Sequence, residues 1–130
     1  MRKILFRGKR LDNGEWEYGY LHLPIGGENM MIQVSNTDSF GVIPDTIGQF
    51  TGLHDKNGKE IYEGDIIRSD CHGEVRHLIS FFDIIASFVA EMLPDNGIND
   101  YCTLSQAWIL KYNKEVIGNI HDNPELLNNE

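Results

Sequence analysis

The sequence predicts a mainly β protein, and two kinds of observation support that prediction. Three Asn-Gly dipeptides mark candidate hairpin turns, because a type I′ turn needs positive φ at both of its central residues. They stand at residues 13–14, 57–58 and 96–97. Trp16, Tyr18 and Tyr20 recur at the two-residue period of a strand. We therefore expect hairpins that build a small barrel or a barrel-like sandwich, with short helical turns near the C-terminus.

The first predicted element is a hairpin around Asn13-Gly14. Residues 3–10 form its incoming strand, and the aromatic residues follow on its outgoing strand. Alternate residues of a strand share a face, so Trp16, Tyr18 and Tyr20 are expected to pack together on the core. The opposite face then carries Glu15 and Glu17.

Shorter elements follow this hairpin. Residues 30–34 predict a strand, and residues 35–39 are polar enough to form a loop. Pro44 comes directly after Val42-Ile43 and marks a strand edge or boundary, since proline cannot donate to a central ladder. Asp45-Thr46 favours a short helical turn.

The next hairpin has the clearest signal in the chain. Asn57-Gly58 lies between Leu53 and Ile61, within a segment rich in strand-forming residues. After it, Gly64-Asp65 suggests a tight bend before a long strand, as in SH3-like barrels. By that analogy we expect SH3-like character in the second half of the chain.

The remaining elements are less regular. Residues 75–80 predict a strand, whereas residues 81–93 fit either a helical stripe or strands; the β-branched residues there favour strands. Residues 94–97 predict a turn, residues 104–112 contain one or two helical turns around Trp108, and residues 116–120 form a final strand. Asn123 is expected to cap a last helical turn with Pro124 at its first position.

Charge is unevenly distributed along the 130 residues, whose net charge is −9. Five of the eleven Lys and Arg residues fall within the first ten positions, where no Asp or Glu occurs. One interpretation is a basic strand held across an acidic body by charge complementarity, and the other is an arm that binds nucleic acid. The apolar residues Ile4, Leu5 and Phe6 favour the first interpretation.

The chain is expected to be cytoplasmic, without membrane association. No apolar stretch approaches the ~20 residues of a membrane span, and Arg7, Lys9 and Arg10 interrupt any signal-peptide pattern. Cys71 and Cys102 form no CxxC pair, so both are expected to be reduced thiols.

No catalytic residue, cofactor-binding residue or metal ligand is assigned, and we expect a protein that is not an enzyme. Cys71 and His72 are adjacent, so on a strand they point to opposite faces, and together with Asp70 and His77 they match no common zinc template. The pairs His54-Asp55 and His121-Asp122 suggest acid–base chemistry only if folding joins them. Local hydrogen bonding in turns explains both aspartates better.

Four sequence blocks carry a family resemblance. They are Leu5-Phe6-Arg7-Gly8-Lys9-Arg10, Gly14-Glu15-Trp16-Glu17-Tyr18-Gly19, residues 46–67 and residues 116–127. The chain resembles the YopX-like proteins of bacteriophages and prophages. The resemblance implies a single YopX-like domain over residues 1–130, with possible sub-units 1–45 and 46–130. It also implies a phage-encoded accessory protein in the host cytosol that self-associates, and it assigns no cofactor and no site residue.

Three functional hypotheses follow. The favoured one is a non-enzymatic module that binds a host or phage protein and copies of itself, because residues 81–89 offer more apolar strand than a small core needs. Arg7, Lys9 and Arg10 are its candidate interaction residues. The second is a nucleic-acid-associated β-barrel module that uses the basic N-terminal strand. The third is a metal-dependent hydrolase that uses His72 and His77.

Overall fold

The computed structural model describes residues 3–27, 29–69, 75–93 and 100–128, and it confirms a mainly β fold. The chain divides into two compact units, Met1–Phe50 and Thr51–Glu130. This boundary lies five residues beyond the one that we predicted between the possible sub-units. Each unit is described separately below.

The first unit is an antiparallel sheet in the order β4-β3-β2-β1-β5. Its strands are β1 Phe6–Lys9, β2 Trp16–His22, β3 Met31–Gln33, β4 Ser39–Gly41 and the start of β5 Gly48–His54. The predicted hairpin at Asn13-Gly14 joins β1 to β2. A 3-10 turn at Pro44–Thr46 confirms the helical turn that was predicted there.

The orientation of β2 differs from our prediction. Tyr18 and Tyr20 are exposed, so the prediction that the aromatic residues pack on the core is wrong for both. Gly19, which lies between them, is buried, and a Cβ at this position would collide with the carbonyl oxygen of Gln33. The backbone of β3 thus comes too close for any larger side chain on the inner face. Glycine takes that position, and the aromatic rings take the outer face.

The second unit contains an antiparallel sheet in the order β10-β9-β8-β7-β11. Its elements are the rest of β5, β6 Glu60–Tyr62, β7 Asp65–Ser69, β8 Arg76–Phe82, β9 Ser87–Leu93, β10 Tyr101–Thr103, α1 Gln106–Lys111 and β11 Lys114–Asn119. Over the described residues, β10 and β11 are the edges of this sheet and do not pair with each other. Neither sheet closes, so the barrel that we considered is not formed.

One face of this second sheet carries the core. Ile67, Ile79 and Ala90 pack there with Leu104 and Ile109, and the last of these belongs to α1. The helix begins after Ser105, whose hydroxyl accepts a hydrogen bond from the Trp108 amide at 3.1 Å. This confirms the helical turns that were predicted around Trp108.

The segment 81–93 is mostly strand, as predicted. Between β8 and β9 the chain makes a 3-10 turn at Asp83–Ile85 and then passes through Ala86. The φ of Ala86 is 50°, in the left-handed region that residues other than glycine seldom occupy.

The hairpin at Asn57-Gly58 is confirmed, but the predicted turn type is wrong. Gly58 has a φ of 84°, whereas Asn57 is not among the described residues with positive φ. The Asp55 amide donates to the Lys59 carbonyl at 2.8 Å, which leaves a three-residue loop with Gly58 in the left-handed position. The Asp55 carboxylate accepts from the amides of Asn57 and Lys59 and thereby holds this loop. The dipeptide at residues 96–97 and the turn predicted at 94–97 lie outside the described residues.

The C-terminal segment forms a 3-10 turn at Pro124–Leu127, as predicted. Asn123 occupies the N-cap position and Pro124 follows it, as predicted, but the side chain of Asn123 makes no capping hydrogen bond. Its Oδ1 instead accepts from the Asn119 amide at 3.2 Å and lies where a Cβ on Gly118 would be. The close approach of Gly118 therefore directs the amide side chain of Asn123 back toward β11.

Candidate functional site

The basic residues of the N-terminal strand do not form one patch. Arg7 and Lys9 lie opposite Tyr18 and Trp16, so these four residues share a face. The Arg7 guanidinium carbon is 4.6 Å and the Lys9 ammonium 5.4 Å from the centroid of the Trp16 ring. Arg7 is 5% exposed and thus buried beneath aromatic surface.

Arg10 has a different environment. Its guanidinium carbon lies 4.0 Å from the centroid of the Phe40 ring, and its nitrogens contact the carboxylates of Asp12 at 2.7 Å and Glu17 at 3.4 Å. The hydrogen bond to Asp12 raises the pKa of Arg10 above its ordinary value. The structure therefore separates our three candidate residues. Arg7 and Lys9 lie near Trp16, whereas the charge of Arg10 is balanced by the two carboxylates of Asp12 and Glu17.

The hairpin between β8 and β9 ends in exposed apolar side chains. Ile84 is 98%, Ile85 45% and Phe81 39% exposed; we call these three residues the apolar tip. The Phe81 ring contacts the Phe88 ring edge-on, with 5.2 Å between centroids. Val89 is fully buried, so one part of the apolar segment 81–89 belongs to the core and another part is exposed.

A cluster of buried polar residues lies on the core face of the second sheet. Cys102 pairs with Ala90, which pairs with Ile79, two residues from His77; the three strands therefore place Cys102 and His77 on one face. Lys114 joins the same face through β7, where Ile67 lies opposite His77. His77 is 6% and Lys114 5% exposed.

Trp108 of α1 contacts two members of this cluster. The His77 ring meets the Trp108 ring at 90°, with 5.2 Å between centroids. The Lys114 ammonium lies 4.9 Å from the centroid of the same ring. Trp108 thus supplies an aromatic surface for a buried cation.

Burial determines the protonation of the cluster. It lowers the pKa of His77 to about 4, and the charge of Lys114 acts in the same direction. Burial also lowers the pKa of Lys114, an effect that Cys102 opposes, and raises the pKa of the Cys102 thiol against the charge of Lys114. At neutral pH the imidazole is therefore uncharged and the thiol stays protonated, so Cys102 is not an activated nucleophile.

A cavity of about 100 Å³ opens beside these residues. It is lined by His77, Met92, Asp100, Tyr101 and Cys102. Our sequence reasoning considered His77 and Cys102 separately and missed Lys114 and Trp108. No local pattern links these positions, because β10, α1 and β11 come near His77 of β8 only in the folded unit.

The described residues contain no cluster that supports the metal hypothesis or the acid–base hypothesis. Among them, no three His, Cys, Asp or Glu side chains are close enough to bind a metal ion, and Asp70, Cys71 and His72 lie outside them. Asp55 has a structural role, because its two carboxylate oxygens accept from the amides of Asn57, Lys59 and Val116 at 2.9 Å. Within the described ranges, neither α1 nor any shorter helical segment is long and apolar enough to cross a membrane.

Two antiparallel sheets built of hairpins define a small, mainly β protein. The model of the YopX protein family matches residues 6–128, so the chain belongs to that family. Among solved structures it is similar to protein EF1440 from Enterococcus faecalis. The two share 27% sequence identity over 98% of this chain and 99% of that chain, with a TM-score of 0.65. No curated protein matches the chain.

Proposed function

We propose that this YopX-family protein is a non-enzymatic phage accessory protein that binds other proteins, including copies of itself, through the apolar tip. The observation that supports this proposal is the nearly complete exposure of Ile84 next to Ile85 and Phe81. Burying an isoleucine fully stabilises a complex by roughly 1.5–3 kcal/mol. The three exposed apolar side chains of the tip therefore favour association with another protein surface.

Two features define the conformation of the tip. The edge-on contact between Phe81 and Phe88 supports its base, and the left-handed Ala86 closes the turn. A residue other than glycine costs about 1–2 kcal/mol in this conformation. A loop that holds such a conformation before binding loses less entropy on association.

The test is the mass of the protein in solution, measured by light scattering coupled to gel filtration. We expect the wild type to be larger than a monomer at micromolar concentration and Ile84→Asp to be monomeric. Ile25→Asp is the matched control, because Ile25 is an isoleucine of equally complete exposure in the other unit. A monomeric wild type, or equal masses for the two variants, would contradict the proposal.

A second candidate function, binding of single-stranded nucleic acid, is favoured by the outer face of β2. Tyr18 is 49% and Tyr20 63% exposed, on the face that also carries Lys9 and Trp16. Alternate residues of a strand are about 6.8 Å apart, so each ring can stack on one base of an extended strand. The unit Met1–Phe50 has five Lys or Arg and six Asp or Glu residues, a net charge of −1 against −8 for the rest. The first unit therefore repels the phosphate groups of a nucleic acid less strongly than the rest of the chain does.

This candidate is tested by the fluorescence anisotropy of a labelled single-stranded oligonucleotide at low and moderate salt. We expect salt-dependent binding that Tyr20→Ser weakens about 5-fold or more, because stacking contributes roughly 1–3 kcal/mol per base. Tyr112→Ser is the control, since Tyr112 is 41% exposed in the other unit. Binding that does not depend on salt concentration, or that Tyr20→Ser and Tyr112→Ser weaken equally, would exclude the outer face of β2 as the binding site.

A further inference from the structure

The outer edge of β10 presents backbone hydrogen-bonding groups to the solvent. At the start of this strand, on its inner side, the Met92 amide of β9 donates to the Asp100 carbonyl at 2.8 Å. Consecutive residues of an antiparallel strand bond to opposite sides, so Tyr101 and Thr103 direct their amides and carbonyls away from β9. Both residues are exposed. An exposed strand edge is a template on which an extended segment of another chain can add a strand.

The edge belongs to an acidic part of the second unit. Residues 77–110, which include β9 and β10, contain four Asp or Glu residues and no Lys or Arg. Among the cations on the other strands of this sheet, Arg76 of β8 and Lys114 of β11 are buried. The remaining one, Arg68 of β7, contacts Glu115 at 3.7 Å. The edge therefore attracts a segment that carries positive charge and repels an acidic one.

Next to this edge, the face of the sheet opposite the core combines a carboxylate with aromatic rings. Glu91 of β9 lies directly opposite Tyr101, so the two side chains share this outer face. The Ser80 hydroxyl donates to Glu91 Oε2 at 2.6 Å and holds the carboxylate in place. The Tyr101 ring contacts the Phe82 ring edge-on, with 4.8 Å between the centroids. A cation that crosses the Tyr101 ring would thus meet both an aromatic ring and a carboxylate.

The spacing of the strands matches the length of a lysine or arginine side chain. A strand added to β10 lies about 4.8 Å beyond it, and thus roughly 10 Å from β9. A residue of the added strand that lies opposite Tyr101 projects on the same face as Tyr101 and Glu91. Its cationic group can extend across the Tyr101 ring to the Glu91 carboxylate, because the two side chains together span this separation.

We propose that the edge of β10 binds an extended, basic segment of a partner protein, which adds an antiparallel strand to the second sheet. Lysine or arginine side chains at alternate positions of this segment lie on the outer face, where they meet Tyr101 and Glu91. A second copy of this chain is a poorer occupant, because pairing of two β10 edges would bring two acidic surfaces together. The site uses no residue of the apolar tip and does not rest on the self-association proposed above.

The experiment measures the fluorescence anisotropy of a labelled peptide in which lysine and threonine alternate, titrated with the purified protein. A peptide in which glutamate replaces lysine is the matched charge control. We expect saturable binding of the lysine peptide that weakens as the salt concentration rises, and no binding of the glutamate peptide. Equal binding of the two peptides, or binding of neither, would overturn the proposal.

N-methylation of the lysine peptide separates strand addition from simple charge attraction. In an antiparallel pair the residue opposite Tyr101 exchanges both backbone hydrogen bonds with it, so the lysine amides face β10 and the threonine amides face solvent. Methylation of the lysine amides should weaken binding about 10-fold or more, because hydrogen bonds are lost and methyl groups enter the interface. Methylation of the threonine amides should have a much smaller effect. Equal effects would show charge attraction without strand addition and would refute the proposal.

Variants of the protein locate the site. Thr103→Pro removes an amide that faces away from β9, so it should weaken binding about 10-fold or more without loss of the pairing with β9. Thr103→Ala is the matched control, because it keeps the amide, and it should bind like the wild type. Glu91→Gln should weaken binding about 3-fold, as expected for one exposed ion pair. Glu125→Gln, at another exposed carboxylate of the second unit, should not weaken it.

A further variant separates this site from the apolar tip. Ile84→Asn removes the most exposed side chain of the tip and should leave peptide binding unchanged, so the two proposals can fail independently. If Thr103→Pro does not fold, the two N-methylated peptides decide with the wild type. A lysine peptide that binds the wild type and a folded Thr103→Pro equally would refute the site at β10.

Discussion

The two units achieve their packing by opposite means. The first unit has two fully buried hydrophobic side chains among its described residues, Ile32 and Val42. At Gly19 its strands approach too closely for a Cβ, and at Gly8 a Cβ would lie 3.0 Å from the Cβ of Val42. The second unit fills its interior with side-chain volume. Its hydrophobic residues at 1% exposure or less are Ile61, Ile66, Ile67, Ile79, Val89, Ala90 and Ile109. An added methyl group should therefore harm the first unit most, and a removed one the second.

The units also differ in how they surround individual charged side chains. In the first unit Arg10 lies near the surface between the carboxylates of Asp12 and Glu17. In the second unit Asp55 and Lys114 are 4% and 5% exposed. Asp55 accepts hydrogen bonds from three backbone amides, and the Lys114 ammonium lies over the Trp108 ring. Charged side chains are thus paired with carboxylates at Arg10, and held in the interior by backbone amides at Asp55 and by an aromatic ring at Lys114.

The largest expected effect concerns Asp55. Asp55→Ala removes the acceptor of three backbone amides, so we expect a loss of about 4 kcal/mol in the free energy of unfolding. Urea denaturation monitored by circular dichroism measures it. Asp12→Ala is the control, because that carboxylate is exposed and should leave the urea midpoint unchanged. A similar midpoint for both variants would remove the distinction between buried and surface carboxylates.

The second prediction compares the packing of the units directly. Gly19→Ala should cost about 3 kcal/mol, since the new methyl group meets the Gln33 carbonyl and only a backbone shift relieves the contact. Ile79→Val, which removes one methyl group from the core of the second unit, should cost about 1 kcal/mol. Thermal unfolding of both variants gives the order. A larger loss of stability for Ile79→Val than for Gly19→Ala would show that the close approach of strands at Gly19 does not control the packing of the first unit.

A third prediction concerns pH and the second unit alone. The pKa of His77 is about 4 in the folded protein and about 6.5 in the unfolded chain, so the unfolded chain binds more protons between these values. The contribution of His77 to stability is complete above pH ~6.5 and is lost as the pH falls toward 4, by roughly 3 kcal/mol.

The measurement is the difference in unfolding free energy between wild type and His77→Phe across this pH range. We expect the difference to change steadily from pH 6.5 to 4 and to be constant outside it. A difference that does not vary with pH would show that His77 is not a buried neutral imidazole.

The smallest effect separates the two Asn-Gly turns. Gly58 and Gly14 both have positive φ, and a Cβ added at either position would meet no atom within 4 Å, so substitution costs backbone strain alone. Gly58→Val should cost at least ~1 kcal/mol, because a β-branched residue is strained there. Gly14→Val should cost less, since the longer loop between β1 and β2 can relax. Melting temperatures that fall equally would mean that loop length has no influence.

The hairpins were predictable because turn residues act locally. Gly14, Gly58 and Gly64 all have positive φ in the structure, as turns and tight bends require. The helix around Trp108 and the turn after Pro44 also follow from short patterns. The type of turn at Asn57 was mispredicted, because the Asp55 carboxylate competes for the loop amides and no dipeptide rule includes it.

The period of β2 was predictable, but the direction of its faces was not. Alternation places Trp16, Tyr18 and Tyr20 together whichever face is buried. The close approach of Gln33 to Gly19 determines which face of β2 is buried. This contact depends on β3, which begins nine residues after β2 ends. The buried polar cluster was equally hidden, since His77, Cys102, Trp108 and Lys114 come from four different elements.

The sequence alone determined the β class, the places where the chain turns and the family to which it belongs, because each depends on residues close together in the chain. The tertiary structure alone decided which aromatic rings stay exposed, that the Asp55 carboxylate is buried, and that Lys114 and His77 both contact Trp108. These features depend on distances between strands. Strand pairing joins residues far apart in sequence, and no local period records that pairing.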